Sequence, residues 1–570
     1  MTKYLSQLLP AFEHKIVAAD GSEINDPEID GISISSLTFD SRQIEKNSLY
    51  FALPGTHVDG KSFIPDAIKK GANAIVFEGN LNDDKNLQSE IAKAIVSRTL
   101  KNGLSDENPK FAPVLINVSS ARHSMAPVSA EFYDNPSAHM VIFGVTGTEG
   151  KSSTVSFIWQ LLKACGKKCG FISTVEYSFG GEALPNPQHQ TTPEAPIIQH
   201  HLNEMLKNGC EYAVVETSSH GLSEKLNRCG NILFDCGIFM NVTLEHLEFH
   251  KNFETYRSDK ANLFRALDKH DHKKIIGGHE VKIPSLGIVN LEDPSAEFFA
   301  NATNQNVTGF TSLGLAGKAA VTDKKIDLPP VPQKIQVYYE AQNIKSDDES
   351  LSFDFISSDK KVSTHVDSKL PGSFNAYNIM ATMIAVNSVT GIDFEKLSAL
   401  IAKLNPIKGR MTEIKKGQNF ELIVDYAHTP SSFETIFPPL RKRCKGKMFC
   451  VFGSGGERDL TKRPLQGEIA AKYCDTIVLA DEDPRGEDPV ELLKMIAVGA
   501  EKQGKVMNKD LFIIHDRPQA IRETFKMAGK NDIVLLLGKS HENSIIYKDF
   551  TMKYDEITEA ENALKDLKLI

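Results

Sequence analysis

Three α/β domains are what this sequence predicts, and three observations carry that expectation. The chain has 570 residues, too many for one hydrophobic core and about right for three domains of ordinary size. Short apolar runs rich in β-branched and aromatic residues recur along its length, interleaved with stretches of helical spacing. That alternation predicts mostly parallel sheets with helices on both faces. One stretch, 139–165, joins a buried strand, a glycine turn, a Lys-Ser pair and a helix into a single unit.

Taken in order, Ile34–Phe39 alternates, Asp40-Ser41-Arg42 turns, and Ser48–Leu53 is a second strand. Pro54–Gly60, with His57, is turn chemistry. Phe63–Lys70 has helical spacing and stops at Gly71, ahead of the strand Ala74–Phe77. Residues 82–112 suit a helix with loose loops, and then come the strand Val114–Val118 and the helix Ala121–Tyr133. Pro136 marks the end of this small mixed α/β domain, 1–137. In the second domain, 138–407, Tyr212–Val215 and Asp235–Phe239 read as buried strands, and 315–365 as β-hairpin excursions from the same sheet. The third, 408–570, has strands at Leu422–Val424, Met448–Phe452, Thr476–Leu479, Leu511–Ile514 and Ile533–Leu537, a Rossmann-like α/β pattern.

Met140–Val145 is apolar, Thr146–Thr154 follows at once, and helical spacing runs from Val155 to Cys165. Gly147 and Gly150 let backbone N–H groups crowd round phosphate oxygens, and the helix N-terminus adds partial positive charge. Lys151 would reach the β- and γ-phosphates, and a hydroxyl of Ser152 or Ser153 would face Mg²⁺. Val145 stands where the commonest phosphate loop has its first glycine. The middle domain is therefore expected to be a doubly wound, P-loop-type nucleotide-binding domain.

Composition narrows the class. Apolar content of 41% and charged content of 24% are ordinary for a soluble globular protein. A net charge of −9 argues against a dedicated nucleic-acid binder, so anionic ligands must be met by local Lys and Arg. Eight cysteines form no C-x-x-C pair, which suits a reducing compartment and inert thiols; Cys165, Cys169 and the lone Trp159 read as structural. No apolar run approaches the ~18 residues of a membrane span and Met1–Lys15 has no leader pattern, so a cytoplasmic protein is expected.

Polar groups cluster where open α/β sheets hold ligands, beyond the C-terminal strand ends: Glu216–His220, Asn241–His250 and Tyr256–Phe264. A carboxylate, an imidazole and the loop serine could together hold a phosphate-bridging metal. Singly, Glu216 reads equally well as a surface residue, His246 as solvated and Lys260 as an exposed cation.

In order and spacing these stretches resemble, nearly end to end, the Mur ligases of bacterial cell-wall synthesis. Gly147-Thr148-Glu149-Gly150-Lys151-Ser152 resembles the family's G-T-x-G-K-[ST] loop, which accounts for the missing first glycine. The resemblance implies ATP on Gly147–Ser153, with Asn290 on the adenine side, Arg410 in a Gly-Arg-Met hinge, and Asp425 towards the ribose. It implies Mg²⁺ held by Ser152, Glu216, His246 and Lys260, the lysine as an N6-carboxylysine (a carbamate). Catalytic roles then fall to Lys151, His246 and Lys260. Asp259 replaces the usual Ala beside that lysine. Gly372–Asn378 resembles the segment closing the central domain. Asp40-Ser41-Arg42 resembles a UDP-binding turn, and Thr191-Thr192-Pro-Glu and Ser218-Ser-His-Gly resemble muramoyl-peptide contacts. Ser41, Thr191, Thr192, Ser218 and, with a two-residue displacement, Arg228 are then the UDP-sugar-binding set.

Gly453–Pro464 and Gly538–Glu542 complete the pattern and imply amino-acid binding by Arg458, Glu482, Asp483, Arg485, Gly538 and Glu542. The stretch Asp481–Arg485 aligns with a D-N-P-R motif that marks selection of meso-diaminopimelate through its distal carboxylate. Here Glu482 and Asp483 replace Asp and Asn. An amide that donates to a carboxylate has become an anion that repels it, or that pairs with Arg485 and cancels its charge. The implied activity is ATP-dependent amide ligation through an acyl phosphate, in peptidoglycan precursor synthesis. A free diamino acid, L-lysine or L-ornithine ahead of meso-diaminopimelate, would be added to UDP-N-acetylmuramoyl-L-alanyl-D-glutamate. The expected state is a monomer with no nucleic-acid partner and no membrane insertion. A folylpolyglutamate synthase would lack the first domain. A catalytically silent nucleotide-binding scaffold would not need Lys151, Glu216, His246, Lys260 and Asp425 intact, and a small-molecule kinase would not need 453–464 and 538–542.

Overall fold

The computed structural model describes residues 1–25, 27, 29–55, 58–102, 112–188, 190–243, 245–312, 330–347 and 349–570, with backbone only at 100–102 and 247. The expected turn at His57 lies outside these residues, as do parts of the 82–112 and 315–365 segments.

An eleven-stranded sheet forms the middle of the molecule. Seven neighbouring strands are parallel, in the order Cys169–Ile172, Tyr212–Glu216, Val141–Thr146, Cys236–Phe239, Leu286–Asn290, Asn306–Thr311 and Tyr338–Ser346. Strands buried on both faces read as continuous apolar runs, and Val141–Thr146 is buried at every position. Its residues alternate between two cores. Val141, Phe143 and Val145 pack with the helices Lys151–Ala164 and Asn375–Thr390, and Ile142 packs on the other side with Leu202, Leu263 and Phe264. Gly144 leaves room for the second layer: a Cβ there would stand 2.3 Å from Leu263 Cδ1. The hairpin region appears as Tyr338–Ser346, Leu351–Ser357 and Ser363–Ser368, the last two antiparallel and continuing the sheet's edge.

The first five-stranded sheet runs Lys15–Val17, Val114–Val118, Ala74–Glu78, Ser48–Ala52, Ser36–Thr38, parallel except for its first strand. The single strand expected at 34–39 is broken at Ser35, whose N–H donates to Asn47 O, so Ser33–Ile34 instead pairs with Lys3–Tyr4. Lys85–Asn102 is helical, and Ile64–Lys70 ends at Gly71 with φ 109°, a left-handed cap that glycine adopts without strain. In the third region Glu421–Asp425, Ile533–Leu537, Met448–Phe452, Thr476–Leu479 and Leu511–Ile513 are parallel neighbours, edged by the antiparallel Thr412–Glu413. Trp159 is buried and its Nε1 donates to Cys169 O at 3.1 Å; all eight cysteines are free. Among the described residues, no helix is long and apolar enough to cross a membrane.

Candidate active site

The phosphate loop leaves the C-terminal end of Val141–Thr146, near the middle of the large sheet. The helix after it begins at Lys151, four residues earlier than the apolar spacing indicates, because its first turn is polar and Ser152 and Thr154 bond to Glu216 and Asn378. Gly150 caps it at φ 82°, and a Cβ there would lie 2.8 Å from Asn378 Oδ1. Asn241 braces the loop: its Oδ1 accepts from the N–H groups of Thr148 (3.1 Å) and Glu149 (2.8 Å). The Lys151 ammonium folds back onto Thr148 O at 2.8 Å. The Ser152 hydroxyl donates to Glu216 Oε1 at 3.0 Å, while Glu216 also accepts from Thr174 N–H and Oγ1. Of the two loop serines, Ser152 is the one whose hydroxyl meets the acid; Ser153 has no side-chain bond among the described residues.

Lys260 is buried, donating to Gly147 O at 2.6 Å. Burial, and then the Lys151 charge, hold its amine well below the usual lysine range. His246 adopts φ 56° and lies 3.4 Å from Glu248 and 3.6 Å from Glu245. Hard divalent cations take oxygen ligands. Ser152 and Glu216 fit that requirement as they stand, His246 adds a nitrogen, and Lys260 fits only once its amine has become an anion.

Two expected ATP residues come from the third region. Arg410 places Nη2 3.5 Å from Ser152 Oγ and lies over the Tyr426 ring at 4.9 Å. Asp425 accepts from the N–H groups of Met411 and Ala427, both at 2.7 Å, and burial raises its carboxyl. Asn290 bonds Met240 O and Glu292 N–H, so its amide meets the protein's own backbone. The regions are tied across the cleft by Thr429 Oγ1 donating to Glu149 (3.0 Å) and by His428 beside Glu245 (3.5 Å).

Thr192, Ser218 and Arg228 converge beside Glu216. Thr192 Oγ1 accepts from Ser218 N–H (2.8 Å) and donates to Glu216 O (2.9 Å), and Arg228 reaches Thr192 O and the Glu194 carboxylate. Thr191 adjoins them, whereas Ser41 sits apart, in the turn that follows the edge strand Ser36–Thr38 of the first sheet. Its carbonyl accepts from Lys70, next to a cavity of about 460 Å³ lined by Ser36, Thr38, Arg42 and Glu45.

The third-region set gathers around a residue that sequence reasoning missed. Lys539 is buried and bridges Asp483 (2.8 Å) and Glu542, whose other oxygen accepts from Tyr426 OH at 3.2 Å. This corrects the expected pairing: Asp483 is neutralised by Lys539, not by Arg485. Glu482 Oε2 is buried without a hydrogen-bond partner, packed where a Cβ on Gly538 would stand 2.7 Å away. Arg485 Nε is likewise buried and unpaired. Arg458 lies 4.0 Å from Glu248, and burial and then Arg485 lower its affinity for protons. Thr174, Asn241 and Lys539 act through partners distant in sequence and have no periodic signature.

The chain matches three family models: Mur ligase family, catalytic domain, over residues 33–133; Mur ligase middle domain, over 145–386; and Mur ligase, glutamate ligase domain, over 409–540. It is 47% identical over 568 residues to a UDP-N-acetylmuramyl-tripeptide synthetase of Treponema denticola, covering 99% of this chain and 98% of that one. A protein of the same name from Treponema pallidum is 42% identical, covering 93% and 94%. A UDP-N-acetylmuramoyl-L-alanyl-D-glutamate–2,6-diaminopimelate ligase of Geobacillus kaustophilus is 32% identical, covering 94% and 96%. Among solved structures, a ligase of that last name aligns at TM-score 0.57 and 23% identity over all of both chains. MurF from Acinetobacter baumannii aligns at 0.62 and 15%, over 100% and 99%. These structures share the fold.

Proposed function

Because the chain belongs to the Mur ligase family, the ATP-dependent ligases of peptidoglycan precursor synthesis, we propose that it adds L-lysine or L-ornithine to UDP-N-acetylmuramoyl-L-alanyl-D-glutamate. The observation supporting the chemistry is the convergence of Lys151, Ser152, Glu216 and Arg410 at one phosphate loop. UDP would bind the first domain (1–137) at Ser41, ATP the second (138–407), and the amino acid the third (408–570).

In this reading the D-glutamate γ-carboxylate attacks the γ-phosphate, giving an acyl phosphate and ADP. The incoming α-amine then attacks the acyl carbon, and phosphate leaves with loss of a proton. Lys151, the helix N-terminus and Arg410 hold the charge that builds on the phosphates. Bound by Ser152, Glu216, His246 and carbamylated Lys260, Mg²⁺ would supply further neutralisation of that charge. A buried lysine held neutral is the form that takes up CO₂, which supports the N6-carboxylysine. Thr192, Ser218 and Arg228 would orient the peptide, and Asn290 and Asp425 would border adenine and ribose. All three sites lie in one chain, so we take it to act as a monomer, in the cytoplasm.

Choice of amino acid rests on Glu482. Its buried, unpartnered oxygen calls for a cation, and the distal ammonium of lysine or ornithine supplies one, with Glu542 nearby and Arg458 and Gly538 towards the α-carboxylate. One observation favours the second reading, meso-diaminopimelate: Arg485 Nε is also unpaired and suits a distal carboxylate. Phosphate release from ATP, measured with the UDP-dipeptide and each amino acid separately, tests both. Turnover with lysine or ornithine is expected. Turnover with diaminopimelate alone overturns the Glu482 argument, and no release with any of the three overturns the ligase reading of the site.

A further inference from the structure

The three segments that carry the proposed metal ligands are separate in sequence. Glu216 ends a strand, followed by the short helix Ser219–Leu222; His246 enters the helix Leu247–His250; Lys260 lies on the helix Phe253–Ala266. A single imidazole on the second segment bonds to the other two. His250 Nδ1 is 2.8 Å from Asp259 Oδ2, and its Nε2 is 2.9 Å from Ser219 Oγ. The ring is fully buried. A carboxylate only accepts, so Nδ1–H donates to Asp259 and Nε2 accepts from the Ser219 hydroxyl. Around the ring stand His220, 5.2 Å away and itself 4.8 Å from His246, and Tyr256, whose OH is 3.1 Å from Thr148 Oγ1 in the phosphate loop.

We propose that His250, oriented by Asp259, is a positioning residue that fixes Glu216, His246 and Lys260 relative to one another. The inference rests on the ligand reading above. Each of its two bonds crosses between ligand-bearing segments, so losing either one loosens a segment while Asn262 Nδ2, donating to Leu222 O at 2.9 Å, still ties the first segment to the third. Asp259 directly precedes Lys260, and Ser219 follows Glu216 by three residues, so slack in the relay passes straight to ligand atoms. Mg²⁺ demands near-ideal octahedral geometry and tolerates little of it. Polar partners that orient metal ligands affect affinity by about 10–100-fold.

The test is Mn²⁺ binding to the full-length protein in the presence of ADP, followed by electron paramagnetic resonance. Asp259→Ala is expected to weaken Mn²⁺ by about tenfold with far-UV circular dichroism unchanged. Asp259→Asn, whose amide oxygen still accepts from Nδ1–H, falls between it and the wild type. KM for the diamino acid moves less than Mn²⁺ affinity, because Lys539, Asp483 and Glu542 lie on another domain and, among the described residues there, only Arg458, 4.0 Å from Glu248, meets the His250 segment. A folded Asp259→Ala protein with wild-type Mn²⁺ affinity, alongside a Glu216→Gln protein that has lost it, overturns the positioning role alone. If Glu216→Gln binds Mn²⁺ as well as the wild type, the ligand reading fails and the inference fails with it. Should Asp259→Ala not fold, Asp259→Asn decides, and wild-type affinity there overturns the proposal.

Discussion

Glu556→Gln removes one charge from the most deeply buried ion pair of the third region. Arg517 and Glu556 are both fully buried, joined at 2.7 and 2.9 Å by a two-pronged contact. The same guanidinium donates to Leu537 O at 2.6 Å and Asp481 O at 3.3 Å. Burial pulls the guanidinium down, and the Glu556 charge more than offsets it, so it stays protonated. Glutamine preserves shape but leaves a buried cation without a counter-charge, a loss of about 3–5 kcal/mol. Removing both charges, as in Arg517→Met with Glu556→Met, instead strands two carbonyls at about 1–3 kcal/mol each, so the single and double variants are strongly non-additive. Asp481 and Leu537 immediately precede Glu482 and Gly538. The double variant should therefore raise KM for the diamino acid while leaving KM for ATP unchanged. Native-state hydrogen exchange of the Ile533–Leu537 amides during urea titration reads the stability. The lone Trp159, in the central core, supplies a fluorescence control that should not move. A Glu556→Gln protein destabilised by less than about 1 kcal/mol would refute the reasoning.

Wild-type protein equilibrated with ¹³C-bicarbonate should show a carbamate carbon resonance that Lys260→Ala abolishes; an unchanged spectrum would reject the modification. Burial holds the His201 imidazole down at about 4, so the unfolded chain binds a proton that the folded one refuses. This contribution is intact above the ordinary value of 6.5 and is lost as pH falls below it, by about 2 kcal/mol at roughly pH 5. Urea titrations should show that loss in the wild type and its relief in His201→Phe, which keeps the stacking on Tyr177. Gly144→Ala drives a methyl into Leu263 and Phe234 and should cost about 1–3 kcal/mol, read by Trp159 fluorescence in urea. Because Gly144 leads into the phosphate loop, KM for ATP should also rise.

What the sequence by itself determined is whatever a local pattern can carry. Strands such as Val141–Thr146, Tyr212–Glu216 and Cys236–Phe239 are legible because burial on both faces writes them as apolar runs, whereas Lys15–Val17, Cys169–Ile172 and Asn306–Thr311 were not read from the sequence. The phosphate loop is legible because its glycines, Lys151 and Ser152 are consecutive and do their work through backbone N–H groups. Boundaries failed where a helix opens on polar residues: the loop helix begins at Lys151, ahead of its first apolar residue. Tertiary structure decided the partners. Asp483 meets Lys539 across 56 residues, not its neighbour Arg485. Glu216 is braced by Thr174, the phosphate loop by Asn241, and His250 is held between Asp259 and Ser219. Hydrogen bonds and ion pairs are short-ranged in space and indifferent to separation along the chain, so they appear only once the sheets have brought distant loops to one end of the molecule.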